Sequence, residues 1–329
     1  MDNSSNNSRN SKDGFSIGRR KFLATSTALT TGLVLGFPGI LTSKNKTRNE
    51  SEADYFVLIA DTHIDKNPHT LRAGSNMFDN LETAVNRILN NGKYGKPDGV
   101  IILGDLANTH GLVGEFALSW TLLRHLSNAG IPVHIAMGNH ENRENFYTVF
   151  PDHKPEDPMV QGRHVEIIES RHTYHIILDT LARVDEYITW GELGEAQRNW
   201  LDETLKTYND KPVMLHGHHY PWPNTQDDGS IRGLKDYEEL IELTHDHKHV
   251  KGYYFGHSHR LDTDPYGRVD VDTKGLNLLN VPTNAGHAGN QPVGYIHALY
   301  YSDKADFEIE CIDTSEQWHG NTFSKTYRS

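Results

Sequence analysis

Five short segments set Asp, Asn and His at the ends of apolar runs: Asp61-Thr-His63, Gly104-Asp105, Gly138-Asn-His-Glu141, His216-Gly-His-His219 and Gly256-His-Ser-His259. The runs before them are Tyr55 to Ala60, Gly99 to Leu103, Val133 to Met137, Pro212 to Leu215 and Gly252 to Phe255. They are short and rich in Val, Ile, Leu and aromatics, as strands buried on both faces are. Five strand ends can then converge on one site rich in metal ligands, the arrangement a two-metal hydrolase requires.

The residue types suit that chemistry. Two divalent ions about 3.5 to 4 Å apart polarise a phosphoryl oxygen and generate a hydroxide near neutral pH. Such a pair needs one carboxylate to bridge it and mixed nitrogen and oxygen donors around it. Imidazole suits Zn, Fe, Mn and Ni, and carboxylate or amide oxygen suits Mn and Mg, so the mixed set selects no single metal. One segment alone carries little weight, because a lone His near a strand end is commonly a hydrogen-bonded structural residue. Five in order, each after an apolar run, are not coincidence.

With these residues in view the chain resembles the calcineurin-like metallophosphoesterases, whose ordered pattern is D-x-H, G-D, G-N-H-(D/E), H and G-H-x-H. The resemblance runs from about Tyr55 to about Ile312. Gly138 to Arg143, His218-His219 before Tyr220 to Pro223, and Val250 to His259 look most like the bacterial class III cyclic-nucleotide phosphodiesterases. The resemblance implies that Asp61, His63, Asp105 and His259 hold one divalent ion, and Asp105, Asn139, His218 and His257 the other. Asp105 is then the bridging carboxylate, and the cofactor is a pair of ions such as Mn, Fe or Zn.

Within the third His-bearing segment, counting back from Pro221 in the family pattern H-H-x-P favours His218 as the ligand. His219 is then expected to face substrate or solvent, and His216 to be buried in its strand. His140 is implied as the catalytic residue, beside the ions, where an imidazolium hydrogen-bonds a phosphoryl oxygen or protonates the leaving alkoxide. Glu141 either orients His140 or is an exposed carboxylate, and Arg143 is either a phosphate contact or an exposed helical residue. Purple acid phosphatases carry Tyr three residues after the bridging Asp; Asn108 stands there in this chain, which argues against a purple Fe(III) enzyme.

Between the first strands lie segments of helical spacing: Asn76 to Leu89, Gly114 to Leu126 and Gln197 to Tyr208. The later runs Arg163 to Ile168, His172 to Leu178, Leu276 to Val281, Tyr295 to Tyr301 and Phe307 to Ile312 read as strands with few helices between them, suggesting a mixed second sheet. The expected fold is therefore α/β, a four-layer α-β-β-α sandwich of two mixed sheets flanked by helices. Residues 51–313 are expected to form the domain and 314–329 a C-terminal tail.

The N-terminal 50 residues read as a leader and polar linker. Arg19 and Arg20, with Phe22 and Leu23, precede the uncharged stretch Ala24 to Ser43, which looks like a twin-arginine export signal. An uncleaved membrane tether is the alternative, because no A-x-A site follows. The expected partners are the twin-arginine translocation machinery and a phosphate-ester substrate, and the expected location is the periplasm or cell envelope. Segments 1–15 and 44–53 are polar and expected to be disordered. The single Cys311 rules out an intrachain disulfide. A net charge of −12 without a basic stripe argues against binding nucleic-acid polymers. Of 21 histidines, the cluster His245 to His249 is read as a solvated helix end.

These features lead to an exported dinuclear metal-dependent phosphoesterase, leaning to phosphodiesters, in which a hydroxide bridging the ions attacks phosphorus. The alternatives are a phosphomonoesterase acting on a nucleotide, sugar phosphate or exported polymer, and, from another class, a non-catalytic metal-containing surface binding protein. The loops that choose the substrate are Asn142 to Gly162, Trp222 to Gly233 and Pro282 to Pro292.

Overall fold

Alternate residues of the Asp54–Ile59 strand serve two different cores. Tyr55, Val57 and Ile59 pack against helix residues such as Leu81, Val85, Phe116 and Leu123, whereas Phe56 and Leu58 meet Ile177, Met214, Tyr254 and Leu279 of a second sheet. That second sheet buries its other face, through Ile176, Leu215, Tyr253 and Phe255, against Leu201, Leu205, Leu240 and Ile241. Three cores between successive layers make the four-layer α-β-β-α sandwich that the strand pattern predicts. Period-two alternation inside an all-apolar run is what a strand covered on both faces requires.

The computed structural model describes residues 53–182, 189–222, 224–225, 231–263 and 273–329. The leader, the polar linker apart from Ala53 and part of the Trp222 to Gly233 loop lie outside the described residues. Among the described residues no helix is long and apolar enough to cross a membrane.

In the first sheet, Asp54–Ile59 runs parallel to Gly99–Ile102, which runs parallel to Val133–Ile135. On its other side it pairs antiparallel with Gly294–Tyr300, followed by Lys304–Cys311 and Thr322–Thr326. In the second, Asn277–Asn280, Val250–Phe255, Val213–His216 and Tyr174–Ile177 are parallel, and Glu166–Glu169 closes the edge antiparallel. Both sheets are mixed. The helices Met77–Leu89, Val113–Asn128 and Gly194–Thr207 agree with the predicted segments to within a few residues. Asn76 caps the first by accepting from the backbone N–H groups of Phe78 and Asp79.

Two sequence expectations are corrected. Strands Gly294–Tyr300 and Lys304–Cys311 join the first sheet rather than the second, because strand composition reports burial but not the partner. The segment read as a tail, 314–329, contributes the edge strand Thr322–Thr326, whose burial alternates as exposed and half-buried. Its one apolar residue, Phe323, stacks on Phe307 at 4.9 Å, too small a signal to mark a strand by pattern.

Candidate metal centre

All five motif segments leave the C-terminal ends of parallel strands, three from the first sheet and two from the second, where open α/β sheets present ligand-binding loops. The loops are laced together along the backbone. Asp61 N donates to Gly104 O (3.1 Å), His63 N to Asp105 O (2.9 Å) and Gly256 N to His218 O (3.1 Å). Asp61, His63, Asp105, His257 and His259 all adopt φ between 47° and 68°. Such left-handed backbone is uncommon outside glycine and costs of order 1–3 kcal/mol per residue, which the surrounding packing must offset. The turns point these side chains inward instead of along the pleat.

Two glycines explain why the motifs open as they do. A Cβ on Gly138 would lie 2.3 Å from Asp105 Oδ1 and 2.6 Å from Asp105 N. Gly104, at φ +83°, would press a Cβ to 2.7 Å from His218 Nδ1 and 2.8 Å from Gly138 N. Side chains there would push the Asp105, Asn139 and His218 loops apart.

The seven predicted ligands come together. Ligand atoms of Asp61, His63, Asp105 and His259 lie within 4.8 Å of one another, and those of His218, His219 and His257 do the same. Asp105 Oδ2 is 3.2 Å from His218 Nε2, 3.7 Å from His63 Nε2 and 3.9 Å from His140 Nε2. His63 Nε2 faces His259 Nε2 at 2.9 Å, and His218 Nε2 faces both His257 Nδ1 and Asn139 Oδ1 at 3.2 Å. Donor atoms sharing one ion at about 2.1 Å stand about 3 to 3.4 Å apart, so these spacings fit divalent ions in both clusters. His218 Nδ1 donates to Leu103 O at 2.7 Å, fixing the tautomer that turns Nε2 toward Asp105.

Electrostatics point the same way. Burial pushes the Asp61 carboxyl up to about 8, reinforced by the like charge of Asp105. Burial also holds His63, His219 and His257 well below their usual range, hence neutral and able to ligate. Burial disfavours charge on His218 and on Asp105 alike, yet each stabilises the other: Asp105 is held well below the carboxylate range and His218 raised to about 9. A cation at this point would take over the role of the extra protons.

The structure revises three neighbours and bears out a fourth. Glu141 neither orients His140 nor is exposed: its buried carboxylate accepts from the N–H groups of Asp105, Leu106, Ala107 and Gly138, holding the loop that carries Asp105. His219 faces no solvent, being fully buried with Nδ1 2.8 Å from Thr180 Oγ1. His216 is buried as predicted, its Nε2 2.9 Å from His175 Nδ1. Arg143 is neither a phosphate contact nor exposed, because its Nε and Nη2 form a fork on Asp179 at 2.6 and 2.7 Å.

Sequence reading missed Thr180, whose Oγ1 also lies 3.4 Å from the backbone N–H groups of both His218 and His219. The available signal was the dipeptide Asp179-Thr180 after an apolar run, a repeat of Asp61-Thr62. His140 stands at the edge of the group, with 17% of its side chain exposed and its backbone N–H donating to Asp105 Oδ1 at 3.0 Å.

Comparison with known proteins agrees with this geometry. The chain is 28% identical over 220 residues to a probable glycerophosphodiester phosphodiesterase of Arcobacter nitrofigilis, spanning 66% of this chain and 76% of that protein. It is 27% identical over 216 residues to a cAMP/cGMP dual specificity phosphodiesterase of Mycobacterium tuberculosis, spanning 63% and 62%. The crystal structure of a dimetal phosphatase from Danio rerio superposes with a TM-score of 0.63 over 84% of this chain and all of that one, at 15% identity, which establishes a shared fold. The calcineurin-like phosphoesterase model matches residues 55–261, more than half of the chain. The chain belongs to the calcineurin-like phosphoesterase family.

Proposed function

We propose that this protein is an exported, dinuclear metal-dependent phosphoesterase that takes phosphodiesters in preference to monoesters. The observation carrying this reading is Asp105, a buried carboxylate with one oxygen 3.7 Å from His63 of the first cluster, 3.2 Å from His218 of the second and 3.9 Å from His140 beside them. Two divalent ions of the Mn, Fe or Zn class would polarise the phosphoryl oxygens and lower the pKa of a water.

The protein's own residues supply the rest. Asp61, His63, Asp105 and His259 would hold one ion, and Asp105, Asn139, His218 and His257 the other. His219 is a further nitrogen beside the second cluster. Glu141 keeps the Asp105 loop in register through its four backbone contacts. His140 is the catalytic imidazole. It is exposed enough to meet substrate, and protonated it hydrogen-bonds a phosphoryl oxygen or gives its proton to the leaving alkoxide.

The preference for diesters rests on the likeness of Gly138 to Arg143 and Val250 to His259 to class III cyclic-nucleotide phosphodiesterases, and on two relatives named as phosphodiesterases. Export through the twin-arginine route, with a periplasmic or envelope location, rests on Arg19, Arg20 and the uncharged stretch after them. A leader left uncleaved would tether the enzyme to the membrane.

The test is hydrolysis of bis(p-nitrophenyl) phosphate beside p-nitrophenyl phosphate by protein stripped of metal and reloaded with Mn, Zn, Fe or Ni. Diester turnover that returns with metal and is lost in Asn139→Ala supports the proposal. Preference for the monoester moves the reading to a phosphomonoesterase. Silence on both esters with two ions bound leaves a surface binding protein.

A further inference from the structure

A cation stands beside the first cluster that the ligand motifs do not include. Arg72 lies on the short hairpin formed by Leu71–Arg72 and Ser75–Asn76 and is half-buried. Three connections fix it relative to the centre. Its Nη1 donates to Asn108 Oδ1 at 3.4 Å, and Asn108 follows Asp105 by three residues. Asn108 Nδ2 in turn donates to Asp65 Oδ2 at 3.0 Å, two residues beyond His63. The backbone beneath Arg72 is seated on Gly286, where a Cβ would meet Arg72 O at 2.3 Å. The same loop sends Thr283 Oγ1 to Asp61 O at 2.9 Å.

The guanidinium itself is underused. Among the described residues it forms no ion pair with a carboxylate, and the long bond to Asn108 is its one side-chain hydrogen bond. Its charge is nevertheless felt at Asp61, His63 and His259. Two other arginines nearby are spent on the protein itself, Arg143 on Asp179 and Arg163 on the carbonyls of Leu181 and Glu192, whereas Arg260, next to His259, is exposed. A half-buried, unneutralised guanidinium offers paired N–H donors to an anion, and planar forks of this kind favour carboxylate and phosphate oxygens.

We propose that Arg72 is a substrate contact that grips a second negative charge of the ester, beside the phosphoryl group held at the Asp61, His63, Asp105 and His259 cluster. This rests on the phosphoesterase reading and deepens it. The class of substrate favoured is a phosphodiester whose alcohol bears a carboxylate or further phosphate, a second ionised group close to the first; a phosphomonoester dianion presents the same extra charge and serves as a probe of the contact. Asn108 positions Arg72, and Asp65 positions Asn108.

The test uses the metal-loaded full chain with p-nitrophenyl phosphate and bis(p-nitrophenyl) phosphate, which share a leaving group and differ by one negative charge. In Arg72→Ala, kcat/KM for the monoester should fall on the order of tenfold further than for the diester, chiefly through KM, as loss of a charged hydrogen bond implies. Inhibition of diester turnover by inorganic phosphate should weaken on the order of tenfold as well. Arg72→Lys should recover part of both effects, and unchanged metal content and melting temperature would set folding aside. Equal losses on the two esters, or unchanged phosphate inhibition, would overturn the assignment. Should Arg72→Ala not fold, Asn108→Ala loosens the guanidinium while keeping its charge, and a smaller shift in the same direction is expected; no shift counts against the contact. Should the wild type hydrolyse neither ester, the phosphoesterase reading falls. Calorimetric binding of phosphate to wild-type and Arg72→Ala proteins then decides the contact separately.

Discussion

The two clusters share Asp105 but are built differently. The first combines two carboxylates with two imidazoles, Asp61 and Asp105 with His63 and His259, and has Arg72 at its side. The second is nitrogen-rich, with His218, His219 and His257 together and Asn139 against His218, and the hydroxyl of Thr180 meets the His219 ring and the backbone N–H groups of His218 and His219. The first set has two carboxylates where the second has one carboxylate, an amide and, in His219, a further imidazole nearby, so the shared Asp105 joins a harder site to one better suited to Zn, Fe or Ni. The difference also separates their proton chemistry. Asp61 of the first cluster holds a proton up to about 8 because of its burial, while His219 and His257 of the second are neutral well below their ordinary range.

The largest expected effect comes from the group that both clusters use. Asp105→Ala should lower diester turnover about a thousandfold or more, the several kcal/mol that paired ions contribute, and reduce bound metal in both clusters. Turnover and metal analysis check this together, and circular dichroism should report an intact fold.

Substitution on one side alone should divide the clusters. His257→Ala should leave one ion bound and His63→Ala should leave the other, each with turnover down on the order of a hundredfold or more. Loss of both ions in either variant would mean that the clusters bind cooperatively rather than as two sites. Thr180→Val, which removes the hydroxyl beside His219, should cost about ten- to a hundredfold in affinity at the second cluster only, as expected for a partner that orients a ligand. Its effect on the first cluster should be negligible.

The pH dependence follows a different proton in each cluster. In metal-free protein Asp61 is protonated below about 8, and an ion must displace that proton. Affinity at the first cluster should therefore rise as pH goes from 6 to 8, by about tenfold per unit for one proton released. The second cluster's His219 and His257 are already neutral across that range and release no proton, leaving His218, raised to about 9, as the proton to displace there. Calorimetric titration in buffers of different ionisation heat counts the protons. Affinity that falls with rising pH would contradict the assignment.

The smallest effect on chemistry belongs to the cores. Leu58→Ala, in the layer between the sheets, should cost about 2–5 kcal/mol of stability and leave turnover per folded molecule nearly unchanged, measured by denaturant unfolding beside specific activity.

Much of this molecule was legible because its site obeys a simple rule: a run buried on both faces ends abruptly in Asp, Asn or His. Asp61, Asp105, Asn139, His218 and His257 all mark such ends, and each strand before them was readable from composition alone. What escaped depends on partners distant in the chain. Glu141 reads as one more acid after Gly138-Asn-His, and only the fold turns its carboxylate onto the N–H groups of Asp105, Leu106 and Ala107. Thr180 acts on histidines 38 and 39 residues away. Arg72 sits on a hairpin too short to show any periodicity. Thr322–Thr326 escaped for the opposite reason, having a single apolar side chain to report.

The most direct test of the central claim is a metal titration of stripped protein with diester hydrolysis and bound metal followed in parallel. The account predicts no turnover without metal, and full turnover only as the second ion per chain is taken up. Turnover in metal-free protein, or two bound ions with no hydrolysis of either nitrophenyl ester, would contradict it.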